Sequence, residues 1–134
     1  MFLNTLNDEE KSMFLDMAIH SSQVNGLVEE SERSMLEQYC KEMDVAPYEK
    51  SELHTVDEIK EFFSNSSDIA KRVAVLELLG LGYIDGNYDE AENSVVKDFA
   101  IGIGLSEETY NILNRDIDQY ITILGIIQDH VFGQ

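Results

Sequence analysis

The chain has one cysteine, Cys40, and one proline, Pro47, among its 134 residues. A lone thiol cannot close an internal disulfide, and Cys40 lies in an apolar helical pattern that predicts its burial as an inert side chain. With so little proline and only eight glycines, the composition argues against a linker-rich or disordered chain. Basic residues are scarce as well: nine Lys and Arg stand against 27 Asp and Glu, for a net charge of −18. Such a surface repels nucleic acid and anionic membrane, so direct nucleic-acid binding is not expected, and basic proteins or cations are the natural counterparts. There is no long hydrophobic run. The longest nearly apolar stretch, Val73 to Ile84, is interrupted by Glu77 and falls short of about 30 Å of hydrocarbon, so it reads as a buried helix and no membrane span is expected. Near the start, Asp8, Glu9 and Glu10 stand where a secretory signal would have basic residues before an apolar stretch. The expected location is therefore cytoplasmic.

What is present suffices for one domain, residues 1–134. Hydrophobic residues make up 43% of the chain, and a domain of this size buries roughly two-thirds of the surface its unfolded chain exposes. The organising feature is an internal repeat, approximately 8–66 and 67–131. In the first copy Val28, Met35, Leu36, Tyr39, Cys40 and Met43 recur at helical spacing; Tyr88, Val95, Val96, Phe99, Ala100 and Ile103 take the equivalent places in the second. Leu15, Ala18 and Ile19 are answered by Val75, Leu78 and Leu79. The polar punctuation also repeats, with Asn25-Gly26 matching Asp85-Gly86, and Glu29, Glu30 and Glu32 matching Asp89, Glu90 and Glu92.

These periods predict an all-α fold of about six helices in two tandem pseudo-symmetric units. The first helix runs from about Asp8 to Gln23, with Asn7 and Glu10 at capping-box spacing, and the second from about Glu29 to Asp44. Thr55 and Glu58 open a third, which ends at the Ser64-Asn65-Ser66-Ser67 breaker. A fourth, from about Ser67 to Tyr83, is apolar on most sides and should be central. A fifth spans about Asp89 to Gly102, and Gly102-Ile103-Gly104 reads as a helix stop. Ser106 then caps a long final helix with the stripe Leu113, Ile117, Tyr120, Ile121, Leu124, Ile127 and Val131, with a break expected near Asn114. Val73, Leu76, Leu79, Val96, Phe99 and Leu124 are expected to share one core.

The repeated acidic turn is the one constellation with a candidate chemistry. Asp85, Gly86, Asp89 and Glu92 fall at positions five, six, nine and twelve of a calcium-binding EF-hand loop, but positions one and three would be Leu81 and Tyr83, where calcium wants carboxylates. An EF-hand is therefore not expected. Two readings remain. In the first, the Gly-containing turns end one helix and Asp89 with Glu92 caps the next. In the second, the pseudo-twofold brings the turns together, so that Asn25, Glu29, Glu32, Asp85, Asp89 and Glu92 hold a divalent cation, calcium or magnesium. His20, His54 and His130 are far apart and none stands at a ligand spacing from Cys40, so surface or cap roles are expected of them. No nucleophile, base and orienting partner stand at recognisable spacing, and no catalytic residue is assigned.

The apolar helix ending in Tyr83-Ile84-Asp85-Gly86, followed by Asp89, Glu90 and Glu92 at the head of a second apolar helix, resembles the TerB-like domains of tellurite-resistance proteins and of the N-terminal region of the DjlA co-chaperone. The likeness extends over most of the chain through its two units; in the first copy Asn25 puts an amide before the glycine. The resemblance implies an all-helical bundle associated with stress responses, with an acidic surface that binds metal or a partner. The His-Pro-Asp motif of a J-domain is lacking, so the chain looks like the isolated module. Charge and resemblance together give the expected function: a non-enzymatic acidic module of stress-response type that docks a protein partner, with a divalent cation as candidate ligand at the paired turns. The alternative is an acidic DNA mimic or electrostatic inhibitor of a basic protein, which would spread its carboxylates along one face. Self-association into a homo-oligomer is open on either reading.

Overall fold

A computed structural model describes residues 1–22, 30–45, 53–83 and 90–133. Among these the protein is all-helical, with six α-helices after a short 3-10 turn at Leu3–Thr5: α1 (Asp8–Ser22), α2 (Glu30–Glu42), α3 (Val56–Ser64), α4 (Asp68–Tyr83), α5 (Glu90–Gly102) and α6 (Glu107–Phe132). No described helix is long and apolar enough to cross a membrane.

The helix ends follow from local chemistry, and they repeat. α1 and α4 begin at Asp8 and Asp68, and α2 and α5 at Glu30 and Glu90, so each second copy starts sixty positions on. Before α1, Asn7 Oδ1 accepts the Glu10 N–H at 2.8 Å; before α4, Ser67 Oγ accepts the Ala70 N–H at 3.1 Å. After α2 and α5 the chain closes in the same way, with the Val45 N–H donating to the Cys40 carbonyl at 2.9 Å and the Leu105 N–H to the Ala100 carbonyl at 3.0 Å. This closure needs a left-handed residue one position earlier, supplied by Asp44 (φ 55°) and by Gly104 (φ 100°). The third elements break the pattern: α3 has nine residues and α6 has 26.

α4 occupies the centre, in contact with α1, α3, α5, α6 and the N-terminal turn. Its buried residues, among them Val73, Ala74, Leu78, Leu79 and Leu81, lie on most sides of the helix, as its nearly continuous apolar sequence requires. Gly80 faces Ile117 of α6, where a Cβ would make an ordinary packing contact, 3.7 Å from Ile117 Cδ1. Phe63 of α3 and Phe99 of α5 are fully buried and meet edge to face, with ring centroids 5.7 Å apart. Tyr39 and Cys40 of α2 with Met43 just beyond it, and Val96 and Ala100 of α5 with Ile103 just beyond it, are buried as their stripes predict.

Three features depart from expectation. Leu3 and Leu6 are buried, although a three-residue turn offers no periodicity by which a sequence reading could find it. α6 is continuous through Asn114, whose Oδ1 accepts the Tyr83 hydroxyl at 2.8 Å. Leu124, expected in the core, is 39% exposed, because the body of the protein ends before α6 does.

Three buried acids, Glu10, Asp16 and Glu77, are matched. Glu77, 4% exposed, accepts the Phe2 N–H at 2.8 Å and pairs with the Met1 amino group at 2.8 Å, which also meets Glu42 at 3.0 Å. Burial works against the charged amine, but the two carboxylates outweigh it and hold its pKa above the ordinary value. The Tyr39 hydroxyl donates to the Glu77 carbonyl at 2.9 Å, and burial, with the Glu77 charge second, pushes its pKa well up. The other two, Glu10 and Asp16, belong to the site below.

Candidate functional site

An open groove of about 890 Å³ lies between the start of α1 and the length of α3. Two capping boxes build its walls. On the α1 side the Glu10 carboxylate accepts the Asn7 N–H at 2.8 Å, reciprocating the bond from the Glu10 N–H to Asn7. On the α3 side Thr55 and Glu58 exchange the same pair of bonds, each at 3.1 Å. The bond from the Thr55 backbone holds the Glu58 carboxyl below the usual range, so it stays ionised. Capping thus engages Glu10 and Glu58, while Glu9 and Glu61, both exposed, stand on the same walls. Met13 and Phe62 supply half-buried apolar surface, and no Lys or Arg lines the groove. The result is an apolar strip between carboxylates.

His54 also lines the groove, and behind it lies Asp16 of α1, which is fully buried. Asp16 Oδ2 accepts from the His54 backbone N–H at 2.9 Å and from His54 Nδ1 at 2.7 Å. A carboxylate oxygen only accepts, so Nδ1 carries the ring proton. The His54 carbonyl in turn lies 2.7 Å from His20 Nε2, which must be the donor there. These bonds clasp the segment before α3 to the middle of α1. His20 lies in the last turn of α1, as its spacing predicts, and its ring also reaches across to the segment before α3. The signal in the sequence was Asp16 itself, a charged residue inside the run Met13, Phe14, Leu15, Met17, Ala18 and Ile19. A charge there must find a buried partner.

Of the six candidate metal ligands, Asn25, Glu29, Asp85 and Asp89 lie outside the described residues, and Glu32 and Glu92 sit on α2 and α5 with side chains outside them. Whether the turns converge is therefore not part of the described geometry. Among the described residues, no three His, Cys, Asp or Glu side chains gather where they could hold one metal ion. Cys40 is buried and free of any disulfide, and His130 is exposed in the last turn of α6. Compared with known proteins, the chain matches no family model, no curated protein and no solved structure.

Proposed function

We propose that the protein is a non-enzymatic docking module whose groove takes a basic, partly apolar segment of a partner protein. The observation that carries this reading is the groove itself, where Glu9, Glu58 and Glu61 flank Met13 and Phe62 without a single Lys or Arg. A segment alternating Lys or Arg with Leu would set its cations against the carboxylates and its aliphatic side chains on the strip between them. The groove is open, so it suits an extended chain better than an enclosed small substrate.

Charge reversal tests this. Glu9→Lys with Glu61→Lys spares both capping boxes, so the helices should be retained. Affinity for a short Lys/Leu peptide, followed by fluorescence titration, is expected to fall by about tenfold or more. Equal affinity for the two proteins would remove the groove from the docking surface.

The same module would hold a divalent cation at the paired turns, as the TerB-like resemblance of Asp85, Gly86, Asp89 and Glu92 implies. A ligand that binds only the folded state stabilises it. Millimolar calcium or magnesium should therefore raise the melting temperature above that in sodium at equal ionic strength, and Asp85→Asn with Glu92→Gln should abolish the increment without changing the helical spectrum. If all salts act alike, the effect is screening of surface repulsion and the turns serve only as caps.

A further inference from the structure

α6 is about 39 Å long at 1.5 Å per residue, and only its first half is covered. Tyr110 and Ile117 are buried and Leu113 and Ile121 partly so, but beyond Ile121 no residue is buried. Tyr120, Ile123, Leu124, Ile126 and Ile127 are 39–50% exposed, and Val131 and Phe132 reach 67% and 73%. Residues 119–128 carry no charge, in a chain with a net charge of −18. At about 100° per residue these apolar side chains sweep roughly 240° of the helix circumference, far wider than the stripe of a surface helix. Together they present on the order of 650 Å², more than a typical monomer exposes in one patch and close to the ~800 Å² that each partner contributes to a standard interface.

We infer that the distal half of α6 is a self-association surface on which a second copy of the chain packs, two-fold and antiparallel, centred near Gly125. This surface is separate from the groove and independent of its reading. Area is one argument for the second copy and charge the other. Two molecules of this chain repel each other wherever their acidic bodies meet, and the segment 119–128 is where they can touch without bringing like charges together. Antiparallel pairing sends the two bodies to opposite ends of the contact, whereas parallel pairing would set them side by side. Gly125 lies near the middle of the exposed apolar run from Tyr120 to Phe132, and a Cβ there would meet nothing within 4 Å in one copy. Glycine inside a helix is costly, and its lack of a side chain suits a close crossing of two helices. Isologous pairing closes on itself, so it ends at a dimer.

Sedimentation equilibrium of the whole chain over a wide concentration range tests the inference. The expected mass is twice the 15.2 kDa of one chain, returning to the single-chain value in the variant Leu124→Glu with Ile127→Glu. Both substitutions fall on exposed positions, and an unchanged helical spectrum would show that the fold survives. A spin label at Asp118→Cys reads the direction: antiparallel pairing places the two labels about 20 Å apart along the helix axis, and parallel pairing places them side by side. The proposal is overturned if the wild-type chain stays monomeric at the highest concentration, if the mass exceeds a dimer, if the doubly charged variant still dimerises, or if the labels lie side by side. A wild-type monomer that floats with phosphatidylcholine vesicles would also overturn it and assign the face to lipid.

Discussion

Phe99→Ala is expected to cost about 3–5 kcal/mol in a reversible urea titration. Phe99 is fully buried on α5, and its ring meets the edge of Phe63 on α3, itself fully buried, at 5.7 Å. Removing the ring leaves a cavity between two helices whose positions are fixed elsewhere, α5 by its end turn at Gly104 and α3 by the Thr55 capping box. Such a cavity cannot close by moving either helix alone, which puts the loss in the upper part of the usual range. A loss below about 1 kcal/mol would mean that the aromatic junction does not hold these helices together.

Asp16→Ala should lose about 3 kcal/mol, because it strips the acceptor from two His54 donors and leaves the backbone N–H among them without its partner. The effect should be local as well as global. The segment before α3 is tied to α1 through this carboxylate, so amide exchange at residues 54–56 should accelerate before the rest of the domain opens. Asp16→Asn should cost distinctly less, since both bonds go to one oxygen and an amide oxygen, with two lone pairs, can still accept them. Equal losses for the alanine and asparagine variants would show that the charge of Asp16, and not its role as acceptor, holds the clasp.

Most of the architecture was legible in the sequence because its signals are local. The Asn7 and Glu10 box, the Thr55 and Glu58 box, the Ser106 cap and the stop at Gly104 each rest on a few adjacent residues, and each closes as their types predict. The central place of α4 followed from apolar residues on nearly all its sides. Long-range matters were not legible. Asp16 is visible as a charge on an apolar face, yet its partner lies 38 positions away, and only the folded chain brings residue 54 beside it. The groove escaped for the same reason: Glu9 and Glu61 belong to different helices, and nothing local says that they share a cleft. In α6 the stripe from Leu113 to Val131 reads as continuous core, because periodicity reports which face of a helix is apolar but not where its neighbours end.

The uneven ending of the two units has a thermodynamic consequence. α3 ends after nine residues, while α6 runs on past the body with a glycine at 125 and β-branched residues at 123, 126 and 127, all poorer helix formers than alanine. A stretch of that length is marginal as a helix when nothing packs on it. Pairing would supply the missing contacts, so the order of the last turns of α6 would be linked by mass action to how many molecules share the solution. At high dilution the tip would fray while the six-helix core stayed intact, and with rising concentration the same residues would stiffen. Local folding at one end of the molecule would thereby become a gauge of the abundance of the protein itself.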